Sequence, residues 1–69
     1  MTFLDWYDAD ELGYLLNISH PSLDPLSLSF TELHTMILKL KGFSGDPAGS
    51  CESLLEAIQM AWLESSREK

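Results

Sequence analysis

Apolar residues recur at helical spacing in three separate stretches of this 69-residue chain, and prolines and glycines interrupt the stretches. The clearest series is Leu33, Met36, Ile37 and Leu40, which follows the i, i+3, i+4, i+7 spacing of one helix face. Amphipathic helices of this kind bury their apolar faces against one another. We therefore predict one compact all-α, three-helix domain over residues 1–69, with a single small core.

The first helix is predicted to begin at Asp8. Glu11 follows three residues later, which is the spacing of a capping box, and Tyr7 is placed to pack on Leu12 as a hydrophobic staple. Gly13 costs this helix about 1 kcal/mol relative to alanine, a cost that close packing of another element would explain.

The second helix has two possible starts. Ser29 with Glu32 forms a capping box, while Thr31 is also an acceptable N-cap, and the sequence does not decide between them. Ser50 is predicted to cap the third helix, which we expect to end near Ser65. The predicted buried face of this helix consists of Leu54, Leu55, Ile58, Ala61 and Trp62.

The connectors contain the remaining structural signals. Prolines make residues 18–25 a turn-rich connector, and the alternation of apolar and serine residues over Leu26–Phe30 predicts a brief extended segment at the edge of a minimal wing. Residues 42–49 form a loop in which Phe43 is predicted to contact the core.

Charge is distributed unevenly along the chain. Residues 1–38 contain six carboxylates and no lysine or arginine, and the whole chain has a net charge of −7. The six are Asp5, Asp8, Asp10, Glu11, Asp24 and Glu32. Nucleic acids and anionic lipids are bound through cationic side chains that neutralise phosphates, so both classes of ligand are disfavoured. The asymmetry indicates a cationic partner.

Cysteine content and hydropathy predict the compartment. Cys51 is the only cysteine, so no internal disulfide can form, which fits a reducing compartment. No stretch approaches the roughly 18 apolar residues of a membrane span, and the N-terminus does not resemble a signal peptide. We expect a cytoplasmic monomer that does not associate with membranes.

Catalysis is not predicted, because the candidate groups Cys51, His20 and His34 lie on separate elements. Cys51 is expected to be inert and partly buried. His34 lies among apolar positions, which predicts a half-buried histidine bonded to a nearby backbone group; the alternative is contact with a partner.

Carboxylates are the remaining candidate metal ligands. Asp8, Asp10 and Gly13 match positions 1, 3 and 6 of a calcium-binding EF-hand loop, but Leu12 and Ser19 occupy ligand positions, so calcium is not predicted. Carboxylate oxygens can hold iron, manganese or magnesium weakly at a surface. In the competing interpretation, Asp8 caps the first helix, Glu11 completes its capping box, and Glu52 with Glu56 forms a solvated stripe.

Several short motifs occur in one order along the chain. They are Trp6-x-Asp8-x-x-Glu11, Pro21-x-Leu23-Asp24-Pro25, Phe30-Thr31-Glu32-Leu33-His34, Asp46-Pro47, and Leu54-Leu55-Glu56-Ala57-Ile58 followed by Trp62-Leu63. Their order and spacing resemble the IscX family, small acidic accessory proteins of bacterial iron-sulfur cluster assembly.

The resemblance implies a fold likened to a modified winged helix and a non-enzymatic regulator that docks on cysteine desulfurase, competes with frataxin and binds iron weakly. An iron carrier for the assembly scaffold is the alternative. The predicted iron ligands are Asp8, Glu11, Asp24 and Glu32. The predicted partner contacts are Asp8, Asp10, Glu11, Asp24, Glu32 and His34.

This chain departs from the family pattern before Asp46-Pro47. The family often has a strongly acidic loop there, whereas residues 39–45 include Lys39 and Lys41 and no carboxylate. We therefore do not expect iron binding through that loop.

Overall fold

A computed structural model describes residues 4–67 and contains three α-helices. These are α1 (Ala9–Ser19), α2 (Phe30–Leu38) and α3 (Glu52–Arg67), with a 3-10 turn at Pro25–Ser27 between α1 and α2. Within the described residues there is no strand, only an isolated parallel β-bridge between Leu4 and Phe43. The all-α, three-helix prediction is confirmed.

The start of α1 is as predicted, but its cap is not. The N–H of Leu12 donates to the Asp8 carbonyl oxygen at 2.9 Å, so Asp8 holds the N-cap position. Its carboxylate instead accepts the N–H of Asp5 at 2.9 Å, and its backbone lies outside the extended region usual for an N-cap. Tyr7 is 79% exposed. The predicted capping box and hydrophobic staple are therefore wrong.

The capping box of α2 forms at Ser29, which decides between the two predicted starts. The Ser29 hydroxyl oxygen accepts the N–H of Glu32 at 3.2 Å, and the Glu32 carboxylate accepts the N–H of Ser29 at 3.1 Å. After α2 the chain reverses at Gly42, whose φ of 91° lies in the left-handed region that favours glycine. The Gly42 carbonyl then accepts the N–H of Leu4 at 2.9 Å.

The predicted extended segment over Leu26–Phe30 is wrong except for the two residues that precede α2, which have extended dihedrals. Asp24 accounts for the difference, because its carboxylate accepts the N–H of Leu26 at 3.0 Å and caps the 3-10 turn. Pro25 suits the first helical position, where its missing N–H has no intrahelical partner to lose. No wing strand forms within residues 4–67.

The start of α3 lies one residue later than predicted. The carbonyl of Cys51 accepts the first helical N–H bond, which places Cys51 rather than Ser50 at the N-cap position. The Ser50 hydroxyl instead lies 2.8 Å from Nδ1 of His34 and forms a hydrogen bond with it. The described part of α3 runs on to Arg67, beyond the predicted end.

The core draws on all three helices and on the segment before α1. Its buried members are Leu4, Trp6, Leu12, Leu16, Leu33, Ile37, Leu55, Ile58 and Trp62. Most were predicted from helical spacing, whereas Leu4 and Trp6 lie outside any helix and were not. Phe43 packs against this core, as predicted.

Helix α1 crosses α3 at Gly13, and these two helices make the most extensive contact in the fold. A Cβ atom at Gly13 would lie 2.5 Å from the backbone nitrogen of Trp62 and 2.7 Å from Cβ of Ala61. Only glycine permits this approach, so close packing explains a residue that lowers helix propensity. Among the described helices, none has both the length and the apolar character of a membrane span.

Candidate protein interface

The structure places the five carboxylates predicted to contact a partner on three elements. Asp8, Asp10 and Glu11 lie at the start of α1, Asp24 precedes the 3-10 turn, and Glu32 lies in the first turn of α2. We call these five residues the N-terminal carboxylates. Four of them are exposed, and Asp8 is partly buried.

Three of the N-terminal carboxylates accept hydrogen bonds from nearby backbone N–H groups. Asp24 and Glu32 act as caps and Asp8 holds the turn that begins at Asp5. The capping box predicted for Ser29 with Glu32 is confirmed, whereas the Asp8 side chain does not cap α1 as the competing interpretation required. These bonds fix the side chains but leave the negative charge facing solvent. The negative charges of Asp8, Asp24 and Glu32 are therefore held in defined positions by these hydrogen bonds.

The predicted iron ligands do not gather at one point. Across residues 4–67, no group of three or more histidine, cysteine, aspartate or glutamate side chains is arranged to hold a metal ion. The set Asp8, Glu11, Asp24 and Glu32 thus does not form a shared cage, and iron binding by these carboxylates stays a prediction.

Asp10 and Glu11 differ from the other N-terminal carboxylates. Both are exposed, and neither takes part in the turn and cap hydrogen bonds that hold Asp8, Asp24 and Glu32. Their oxygens are therefore available to an external donor.

Asp10 also lines an open groove between α1 and α3. The groove has a volume of about 350 Å³ and is bordered by Asp10, Tyr14, Ala61, Glu64 and Ser65. Of these residues, only Asp10 was predicted from the sequence to contact a partner. The spacing of residues 10 and 14 on α1, and of 61, 64 and 65 on α3, puts each set on one helix face. The crossing that brings the two faces together has no local sequence signal.

His34 belongs to a cluster built around Trp6. The two rings stack with centroids 5.0 Å apart, and Phe43 meets Trp6 edge-on at 4.8 Å. Nε1 of Trp6 donates to the carbonyl oxygen of Asp46 at 2.6 Å, and Ser50 bonds the His34 ring. We call these five residues the Trp6 cluster.

The Trp6 cluster revises the prediction for His34. The histidine is half-buried as expected, but its hydrogen-bond partner is the Ser50 side chain rather than a backbone group. The ring links α2 to the loop before α3. Partner contact by His34 stays a prediction.

The remaining nucleophile and base candidates lie apart. Cys51 is exposed, which corrects the expectation of a partly buried thiol, because the later start of α3 leaves this residue at the helix end. His20 directly follows α1, and the centroid of its ring lies 6.4 Å from that of Trp62.

Comparison with known proteins agrees with the motifs. A family model described as "Iron-sulphur cluster assembly" matches residues 4–67. A Pseudomonas aeruginosa protein named "Uncharacterized protein PA3808" is 43% identical over 61 residues, which cover 88% of this chain and 92% of the relative. The match to the family model extends over all three helices and both sides of the groove. The chain belongs to the IscX family of iron-sulfur cluster assembly proteins.

Proposed function

We propose that this chain is a non-enzymatic adaptor that binds cysteine desulfurase through the N-terminal carboxylates and regulates it during cluster assembly in the cytoplasm. The observation that carries the proposal is the run of six carboxylates without a lysine or arginine over residues 1–38, in a chain of an iron-sulfur cluster assembly family.

The hydrogen bonds of the carboxylates support this role. Asp24 and Glu32 are already fixed by backbone N–H groups, so they lose less side-chain freedom when a cationic residue docks on them. Exposed charge pairs accelerate association and are screened by salt. The complex is therefore expected to form fast at low ionic strength and to weaken as salt is added.

Competition with frataxin is part of the same proposal. A regulator that occupies an overlapping basic surface on the desulfurase would displace frataxin without any chemistry of its own. The chain would act as a monomer, with each copy offering one set of N-terminal carboxylates.

Iron enters the proposal only as weakly held cargo. Carboxylate oxygens suit iron, but the described residues do not assemble three ligands at one place. The geometry therefore favours the adaptor over the alternative of an iron carrier that donates metal to the scaffold. For the adaptor, binding to the desulfurase does not require iron.

The test is a titration against purified cysteine desulfurase at low and high salt, with and without ferrous iron. Salt-sensitive binding in the absence of iron is expected. Binding that appears only with iron would favour the carrier, and absence of binding in every condition would remove the desulfurase assignment.

Two matched triple variants sharpen this test. In Asp8→Asn, Glu11→Gln, Glu32→Gln, the amides at positions 8 and 32 keep an oxygen that can accept the native backbone bond, and within the described residues the Glu11 carboxylate has no such bond to lose. Three exposed ion pairs of about 0.5 kcal/mol each predict roughly tenfold weaker binding at low salt.

The control variant is Asp46→Asn, Glu52→Gln, Glu56→Gln, which changes the net charge by the same amount outside the N-terminal carboxylates. At physiological ionic strength, where the Debye length is about 8 Å, this variant should bind within about twofold of wild type, since long-range effects of distant charges are screened. Equal weakening of the two variants would show that total charge, and not this surface, drives association. Displacement of the bound wild-type chain by frataxin tests the competition.

A further inference from the structure

We propose that the groove between α1 and α3 receives one arginine side chain of the protein partner. The proposal rests on the proposed function for the identity of that partner, but the groove can be tested by itself. Its occupant is defined by chemistry: a planar guanidinium between two carboxylates and an aromatic ring.

The two carboxylates stand on different helices. Asp10 borders the groove from α1 and Glu64 from α3, and both residues are exposed. Neither carboxylate takes part in the cap and turn bonds that occupy Asp8, Asp24 and Glu32. A guanidinium carries five N–H donors in a planar fork, so it can bond to carboxylates on two walls at once, which a single ammonium does less well.

Tyr14 adds an aromatic surface to the same groove. It follows Asp10 by four residues on α1, so the two side chains lie on one face a turn apart. The tyrosine is 53% exposed, so about half of its ring surface is open to solvent beside the groove. Arginine stacks on aromatic faces and is more weakly hydrated than lysine, which makes it the favoured occupant.

The space for the occupant is set by small residues. Ala61 borders the groove and also lies at the contact with Gly13, where the helices approach as closely as glycine allows. Ser65 borders the groove and accepts a long hydrogen bond of 3.5 Å from Asn17. The helix crossing thus fixes the groove walls before a partner arrives.

Arg67 is the nearest competing cation along α3, three residues after Glu64 and within reach of a helical side-chain pair. An exposed side-chain pair of this kind on a helix is weak, so Arg67 competes little with an arginine of the partner. Stacking on Tyr14 is the contact that distinguishes the partner arginine from Arg67 and from a diffuse counterion.

The first test uses the full chain, labelled with ¹⁵N, and three blocked tripeptides: Gly-Arg-Gly, Gly-Lys-Gly and the uncharged analogue with citrulline. We expect the arginine peptide to shift the amide resonances of residues 10, 14, 61, 64 and 65 most, with smaller shifts from lysine and none from citrulline. Shifts spread evenly over all exposed carboxylates, or no shifts at all, would overturn the groove.

The second test measures desulfurase binding of Tyr14 variants, which leave the charge unchanged. Tyr14→Ala should weaken binding by about two- to fivefold, as expected for an exposed cation–π contact, and Tyr14→Phe should retain wild-type affinity. Circular dichroism establishes that both variants stay folded. Wild-type affinity in Tyr14→Ala would contradict the proposal.

A charge-matched pair completes the design. Asp10→Asn with Glu64→Gln removes the two groove charges, and Glu52→Gln with Glu56→Gln removes two charges nearer the start of α3. We expect the first pair alone to weaken binding severalfold.

The two proposals fail in different ways. If the chain does not bind desulfurase but the arginine peptide maps to the groove, the proposed partner is wrong and the groove stands. If the Asp8, Glu11, Glu32 triple variant loses desulfurase binding while the Tyr14 and groove variants behave as wild type, the groove is wrong and the adaptor stands.

Discussion

The α1–α3 crossing and the Trp6 cluster are two regions of this small fold that pack in opposite ways. At the crossing, Gly13 allows backbone to meet backbone, and an added carbon atom has no room. In the Trp6 cluster, one large side chain fills the space between α2 and the loop before α3, and its indole N–H holds that loop through Asp46. We therefore expect an added side-chain atom to destabilise the crossing and a truncated side chain to destabilise the Trp6 cluster.

The largest expected effect comes from emptying the Trp6 cluster. Trp6→Ala removes a side chain that is 3% exposed, and truncations of this kind cost about 3–5 kcal/mol. A 69-residue domain has little stability to spare, so the variant should be largely unfolded at 25 °C. Urea denaturation followed by circular dichroism measures the loss.

Trp6→Phe serves as the control for that experiment. This variant retains an aromatic ring for His34 but loses the N–H bond to the Asp46 carbonyl. Its free energy of unfolding should therefore lie between those of wild type and Trp6→Ala. A Trp6→Ala variant that loses less than about 1 kcal/mol, well under the cost of emptying a buried aromatic site, would mean that the loop is held by other contacts.

Filling the crossing should have the next largest effect. The Cβ atom of Gly13→Ala would meet backbone atoms of α3, which cannot rotate away, and such overpacking costs about 1–3 kcal/mol or more. The higher helix propensity of alanine offsets about 1 kcal/mol of this cost, so we expect a net loss of up to about 2 kcal/mol in the free energy of unfolding. Ser53→Ala, at an exposed position of α3, reports propensity alone and should not destabilise the fold. A stabilised Gly13→Ala would show that the helices can separate without loss.

Gly42 tests a third requirement, for backbone conformation without crowding. An added Cβ at Gly42 would meet no other part of the described fold within 4 Å, so Gly42→Ala is destabilised only by the left-handed φ of 91°. We expect a loss of about 1 kcal/mol in the free energy of unfolding. Gly42→Asn should lose less, because asparagine visits this region more readily. Equal losses in the two variants, measured by thermal denaturation, would point to a contact and not to conformation.

The smallest effect separates the two helix starts. Ser29→Ala breaks the capping box of α2 and should cost about 1 kcal/mol. Asp8→Ala should cost less than half of that at the start of α1, because the Asp8 carboxylate caps no helical N–H. Chemical denaturation of both variants gives the comparison, and an equal loss would show that Asp8 stabilises α1 by another route.

Local patterns predicted the helices well because helical spacing and caps involve neighbours in sequence. The box at Ser29 with Glu32, the reversal at Gly42 and the buried face of α3 all follow from residues within a few positions of one another. The family motifs predicted the role in iron-sulfur cluster assembly, which no helix or turn pattern indicates.

The errors arose where one side chain had two possible partners. Asp8 was free to bond α1 or the turn at Asp5, and Ser50 was free to cap α3 or to bond His34. Sequence spacing does not rank such alternatives, because the choice depends on where the chain lies in space. The groove was missed for the same reason, since its two walls are separated by about 50 residues of sequence.

The position of Cys51 gives the protein a single chemical handle. It is the only cysteine in the sequence and its side chain is exposed, so a thiol-reactive fluorophore or spin label would attach at one point. At 1.5 Å per residue along α3, that point lies about 20 Å from Glu64. A probe there would report the distance and orientation of a bound partner while leaving the groove open.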